Sequence, residues 1–243
     1  MANHDRNNKI RAIIWDYDGT LADTRQKNLN VTKKIIEKVT GTSAEKIAAL
    51  QSLEKYDQAH RNATNWRELY MTVYGLSKEQ TDDAGKLWAE YQLRDNTPTP
   101  FYDGIEEVLI NLNWLPHGIV SQNAQTNIAN VLQTRGLLDY FGYIVGYEQV
   151  DFEKQKPEPD GVLMCLEKIA ELTSGFVFYI GDHEVDVKCA LNANEVFRKN
   201  GLDINVVSIG ASYGFKHDDS GWTIKPDYEA KTTHDIINII QNF

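Results

Sequence analysis

The chain has 243 residues, 42% of them hydrophobic and 10% aromatic, enough to bury a sizeable core in one large domain or in a domain with a smaller insert. Its formal charge of -10, from 25 basic against 35 acidic residues, argues against a broad electrostatic footprint for nucleic acid or anionic lipid, so any bound anion must be held locally. The polar opening MANHDRNNKI lacks the apolar stretch of a signal peptide and no later apolar run reaches spanning length, which predicts a cytoplasmic protein with neither a membrane nor a nucleic-acid partner.

The first predicted strand, residues 12–15, runs directly into "DYDGT", where Asp16 and Asp18 stand one residue apart. A helical interruption follows, residues 22–98. In it Trp66, Leu69, Tyr70, Val73 and Tyr74 share one helix face that ends at Gly75. Ser77 and Gln80 form a capping box ahead of Ala84, Leu87, Trp88 and Tyr91. The turn-prone "NTPTP" at 96–100 brings the chain back to strands at 118–120, 143–145, 176–180 and 204–209. Helical patterns such as Val162, Cys165, Leu166 and Ile169 separate these strands. Short β-rich runs alternating with helices predict an α/β protein, with a doubly wound, Rossmann-like parallel sheet as its core (residues 1–21 and 99–243) and an inserted all-helical cap domain (22–98). Cys165 and Cys189 lie in helix-like segments without metal-ligand spacing and read as packing thiols, so a metal, if present, should be held by oxygen.

The candidate chemistry lies at strand ends. In open α/β sheets ligands bind outside the carboxyl ends of the strands, and the Asp16/Asp18 pair placed there invites a hard cation with oxygen ligands. Asp-x-Asp-Gly is also an ordinary turn sequence. "GIVSQN" leaves Ser121 at the next strand tip, with a helix expected immediately after; its hydroxyl suits a phosphate oxygen, or Ser121 or Asn123 simply caps that helix. "EKQKPEPD" sets Lys156 on a loop stiffened by Pro157 and Pro159, a better place for a phosphate-neutralising cation than Lys154. "FVFYIGDHEVD" delivers Asp182 to the same sheet edge and Asp186 one helical turn later, an acidic pair that also complements a helix start.

Four successive strand ends thus carry Asp-x-Asp, Ser, Lys and Asp-x-x-x-Asp. In that order "DYDGT", "VSQN", "KPEPD" and "GDHEVD" resemble the motifs of the haloacid dehalogenase superfamily, over residues 11 to about 212. "DGTLADT", "SYGF" and "KPDYEA" are similar to its phosphoglycolate-phosphatase-like branch, which has a helical cap after the first motif. The resemblance implies a phosphatase acting on a small phosphorylated metabolite, with Asp16 as nucleophile and Asp18 as general acid and base. It further implies Mg2+ held by Asp16, the Asp18 carbonyl and Asp182 with Asp186 in support, and a phosphate cradle of Ser121, Gln122, Asn123, Lys156 and the Gly19 and Thr20 N–H groups. A phosphosugar mutase of the same superfamily would keep these motifs, although Thr20 favours a hydrolase; a receiver-type or non-catalytic phosphoryl binder is the third alternative.

The chain departs from that branch at Gln122, where Asn is common, and at His183, where a small hydroxyl residue is common. The longer "NANEVFRKNGLDIN", residues 192–205, predicts a surface elaboration. Substrate choice should fall to the cap closing over the sheet edge, and the polar stretch "DQAHRNATN" between two helical patterns nominates Arg61, with Arg25 and Arg67 as competitors.

Overall fold

The computed structural model describes residues 10–63, 65–214 and 222–243; the opening nine residues and Phe215 of "SYGF" lie outside them. The chain divides into two compact units. One is Thr24–Pro100, and the other joins the chain up to Asp23 with Phe101–Phe243.

The inserted unit is helical, with α1 (Arg25–Thr40), α2 (Leu53–Asn62) and α3 (Lys78–Arg94). Val31, Ile35 and Ile36 of α1 bury against Leu50, Tyr56, Leu69, Tyr70 and Ala84, which gives the unit its own apolar core. The capping box forms at the start of α3, with Gln80 N–H donating to Ser77 Oγ (3.1 Å) and Ser77 N–H to Gln80 Oε1 (2.9 Å). The 66–74 segment is not a plain α-helix: Trp66–Glu68 runs into a π-helical Leu69–Val73, where Tyr74 N–H donates to Leu69 O five residues back. Gly75, at φ +75°, then lets Leu76 N–H reach Tyr70 O and close the turn.

The second unit holds one parallel sheet of β1 (Ile10–Trp15), β2 (His117–Val120), β3 (Phe141–Val145), β4 (Ser174–Gly181), β5 (Asp203–Ala211) and β6 (Tyr228–Ala230), in the order β3-β2-β1-β4-β5-β6. Its helices are α4 (Ile105–Asn111), α5 (Gln125–Thr134), α6 (Asp160–Ile169), α7 (Glu184–Lys199) and α8 (Thr233–Gln241). Alternation along the strands serves both faces. Ile13, Trp15, Phe178 and Ile180 pack with Val108, Ile128 and Ile236 from α4, α5 and α8. Ala12, Ile14, Val177 and Tyr179 pack with Val162, Leu166, Ala190 and Phe197 from α6 and α7. This is the predicted doubly wound α/β fold. The strand order reverses between β1 and β4, which opens a ligand crevice at their carboxyl ends.

Three features correct or extend the reading of the sequence. Residues 192–205 are no surface elaboration: α7 continues to Lys199, Ala193 and Phe197 are buried, and β5 begins at Asp203. The Asn194 side chain pairs with both backbone groups of Val206, taking its N–H at 2.6 Å and donating to its carbonyl at 2.8 Å, so the helix and strand are stitched together. β6, three residues with a single buried side chain, has too weak a pattern to be seen without its pairing to β5. Cys165 and Cys189 are free and buried, and burial pushes both thiols up to about 12, as packing residues. Among the described residues no helix is long and apolar enough to cross a membrane.

Candidate active site

Asp16 directly follows β1, and its N–H donates to Ile180 O of the neighbouring β4, so its carboxylate is fixed at the point where the strand order reverses. Asp182 follows β4, and Asp186 stands on the first turn of α7. Carboxylate oxygens of these three residues lie within 4.8 Å of one another. Lys156 reaches into the cluster, its Nζ 2.6 Å from both Asp16 Oδ1 and Asp186 Oδ1. Its loop is held by its carbonyls: Gln122 Nε2 donates to Lys156 O, Asn192 Nδ2 to Pro157 O and Cys189 Sγ to Glu158 O. Tyr179, which the sequence shows only as a strand residue, is a fifth member, since its hydroxyl donates to Asp186 Oδ1 at 3.2 Å. Its period-2 position on β4 marks only a core-facing residue, so the sequence held no signal for this contact.

Three carboxylates face one ammonium in a buried place. Burial raises Asp16 to about 7; Lys156 opposes the shift, while Asp186 and Asp18 add to it. Burial also raises Asp182 well above the ordinary carboxylate range, helped by Asp16 and Asp186. For Lys156 burial acts downward, yet Asp16 and Asp186 hold it well above the usual lysine value. The ammonium is therefore a fixed charge.

Asp18 faces different partners. Its Oδ2 accepts from Ser121 Oγ at 3.3 Å and its Oδ1 from Asn123 Nδ2 at 3.1 Å. The second strand's motif is thus brought onto the Asp18 carboxylate, while exposed Gln122 turns to the Lys156 loop. Neither Ser121 nor Asn123 caps the following helix. α5 begins at Gln125, with Ala124 at its N-cap, later than the sequence suggested. Gly19 also requires correction. Gly19 N–H already donates to Ala22 O (2.9 Å), so it presents no open N–H to phosphate; Thr20 is buried beside it. Gly19 serves close approach instead: at φ +82°, a Cβ there would lie 2.1 Å from Asp182 Oδ2.

A family model described as haloacid dehalogenase-like hydrolase matches residues 13–197. The chain belongs to the haloacid dehalogenase-like hydrolase family. It is 26% identical to pyrophosphatase PpaX of Oceanobacillus iheyensis, covering 95% of this chain and 97% of that one. It is 23% identical to phosphoglycolate phosphatase of Vibrio vulnificus, covering 96% of each. A haloacid dehalogenase-like family hydrolase from Streptococcus pneumoniae shares the fold, with a TM-score of 0.69 at 18% identity over 98% of this chain and 99% of that one.

In this haloacid dehalogenase-like hydrolase the residues present fit magnesium. The donors are all carboxylate oxygens; the upward shifts of Asp16 and Asp182 come first from burial and then from neighbouring carboxylates, and a dication would favour the ionised form of both. Asp186 is already committed, since Lys156 and Tyr179 occupy Oδ1 and His183 N–H occupies Oδ2 (3.1 Å), which suits support of a metal shell more than a direct ligand.

The departures from the branch pattern also have places. His183 is the N-cap of α7, with Nδ1 accepting from Val185 N–H at 3.2 Å, and burial lowers its pKa. Glu184 gathers the 222–224 segment. Its Oε1 accepts from the Thr223 N–H and hydroxyl and from Ile224 N–H, and its Oε2 pairs with Lys188. Against the opposing effect of burial, hydrogen bonds from Thr223 and Lys188 bring Glu184 down to about 2. In the inserted unit Arg61 is exposed in the last turn of α2, so the nominated polar stretch is mostly helix and not a loop. Arg25 pairs with Asp57 at 3.3 Å, and Arg67 pairs with Asp82 while lying over the Trp66 ring.

Proposed function

We propose that this phosphatase hydrolyses a small anionic phosphoryl compound, of the size of pyrophosphate or phosphoglycolate, by transfer of the phosphoryl group to Asp16. The reading rests on one observation: a buried carboxylate at the reversal of the strand order, 2.6 Å from the Lys156 ammonium, with a second carboxylate two residues on held by separate donors. The names of two relatives, a pyrophosphatase and a phosphoglycolate phosphatase, support the substrate class.

Asp16 attacks phosphorus through a carboxylate oxygen, and the bond from phosphorus to the leaving oxygen breaks. Asp18 gives that oxygen its proton. Water then attacks the phosphorus of the aspartyl-phosphate and yields a proton to Asp18, and the bond to Asp16 breaks to release phosphate and restore the carboxylate. The Ser121 hydroxyl and Asn123 amide hold Asp18 in place for both transfers and stand beside the phosphoryl site. Lys156 offsets charge on the nucleophile and on the phosphoryl oxygens. A magnesium ion held by Asp16, Asp182 and the Asp18 carbonyl, with Asp186 in support, would supply the further positive charge that lets one anion approach another.

Arg61, exposed on the inserted unit, is the proposed contact to the rest of the substrate. Its replacement by Ala should reorder substrates while sparing a small aryl phosphate. The test of the whole reading is phosphate release from pyrophosphate, phosphoglycolate and phenyl phosphate with Mg2+, before and after chelation. Turnover that survives exhaustive chelation, or no release from any of the three, overturns it.

A further inference from the structure

His183 stands one residue beyond Asp182, and its ring is held from two sides. On one side Nδ1 accepts the Val185 N–H that a helix N-terminus leaves unpaired. A neutral imidazole accepting at Nδ1 carries its proton on Nε2, so the cap selects the tautomer. On the other side the Trp222 indole lies against the ring, with centroids 6.2 Å apart. Trp222 stays there because Thr223 and Ile224, the next two residues, are bound through their N–H groups to Glu184, the neighbour of His183. The His183 main-chain N–H is engaged as well, donating to Asp186 Oδ2.

With the His183 carbonyl taken by Asp186 N–H (2.9 Å) as well, one polar atom of the residue remains. Among the described residues nothing accepts from Nε2, and His183 is only partly buried, so a donor is left over on the residue that follows Asp182 and whose main-chain N–H binds Asp186. Asp16, Asp182 and Asp186 are acceptors, and Lys156, which gives two of its three N–H groups to Asp16 and Asp186, faces the transferred phosphoryl group and not the leaving group in the proposed reaction. A substrate whose leaving group carries a further anionic oxygen therefore meets a donor here that the cluster does not otherwise provide.

We infer that His183 is a specificity-determining residue, whose Nε2–H donates to an anionic oxygen of the leaving group, a phosphate oxygen or a carboxylate oxygen beyond the scissile bond. The inference rests on the proposed phosphatase reading and deepens it. It assigns the chain a preference for leaving groups with that oxygen over those without it.

Two variants separate the donor from the cap. His183→Ser keeps an N-capping oxygen and removes Nε2–H; His183→Gln keeps an amide donor of similar reach and removes the cap. The readout is kcat/KM on pyrophosphate and on phosphoglycolate, each divided by that on phenyl phosphate, whose leaving group has no oxygen beyond the bridging one. For His183→Ser this ratio should fall about tenfold to a hundredfold on at least one of the two anionic substrates, the worth of a hydrogen bond to a charged group. The arm that falls tells a phosphate acceptor from a carboxylate acceptor. For His183→Gln the ratio should stay within about threefold of the parent even as the melting temperature drops with the lost cap, because a ratio between substrates is insensitive to the folded fraction. A His183→Ser ratio unchanged from the parent overturns the inference, as does a His183→Gln ratio that falls with it. A parent that releases phosphate from none of the three compounds fails the phosphatase reading instead.

Discussion

Lys156 Nζ is equidistant, at 2.6 Å, from Asp16 Oδ1 on one strand end and Asp186 Oδ1 on the first turn of α7. Each of these side chains is nearly closed to solvent, and among the described residues the ammonium is the one cation bonded to any of the three crowded carboxylates. Removing one partner of such a buried set leaves charge uncompensated.

Lys156→Met should therefore cost about 3–5 kcal/mol in the metal-free protein and abolish measurable turnover. The variant should also gain more in melting temperature from Mg2+ than the parent does, because the ion would replace the missing positive charge. Thermal melts of both proteins with and without Mg2+ check this. An equal gain in the two would place the ion away from this cluster.

Asp16→Asn and Asp18→Asn should both cripple turnover, in ways that can be separated. Asn at 16 removes the attacking oxygen, so no phosphoryl-enzyme forms. Asn at 18 retains the nucleophile, and an aryl phosphate with a good leaving group should release a single stoichiometric burst followed by slow decay of the adduct. Quenched-flow and mass measurements distinguish them. A phosphorylated Asp16→Asn protein would disprove the assignment of the nucleophile.

Gly19→Ala introduces a Cβ that would fall 2.1 Å from Asp182 Oδ2, at a backbone φ of +82°. The backbone strain is about 1–2 kcal/mol, which the fold should survive, while the carboxylate is pushed out of the cluster. The Mg2+ concentration for half-maximal activity should rise about tenfold or more. Activity titrations against Mg2+ read it directly, and an unchanged midpoint would detach Asp182 from the metal.

His117 is buried between Trp15, whose Nε1–H donates to Nδ1 at 2.9 Å, and the Leu112 carbonyl, 3.0 Å from Nε2. Burial lowers its pKa, so below about 6.5 the unfolded chain takes up a proton that the folded chain refuses. Stability from this residue is complete above that pH and is lost as pH falls, by up to about 1.4 kcal/mol per pH unit. His117→Leu strands the Trp15 donor and should cost about 1–3 kcal/mol near neutrality, yet flatten the acid slope. Urea unfolding of the two proteins between pH 5 and 7 should show the gap narrowing as pH drops, and parallel slopes would contradict it.

Much of the site was readable in one dimension because its parts are punctuation. Asp16 ends an apolar run, Lys156 precedes Pro-x-Pro, and Asp182 closes a strand, so each is marked by the change in pattern beside it. Tyr179 carried no such mark: inside a strand, an aromatic packing in a core and one whose hydroxyl binds Asp186 look the same. The Gly19 reading failed for a related reason. Whether an N–H is open depends on which carbonyl folds back onto it, and for Gly19 that is Ala22.

Local physics written along the chain determined the element types, the order of the strands in sequence and the residue classes at their ends, because period, capping and turn chemistry act over a few neighbours. Tertiary structure alone decided who meets whom. Lys156 is 140 residues from Asp16, and Ser121 is 103 from Asp18. Asn194 became a link to Val206 where the sequence suggested an elaboration, and the cap role of His183 selects which imidazole nitrogen carries the proton. Such pairings arise only when the sheet closes and its helices pack, since burial, which sets both the partners and the shifted pKa values, is a property of the assembled core and of no short stretch of chain.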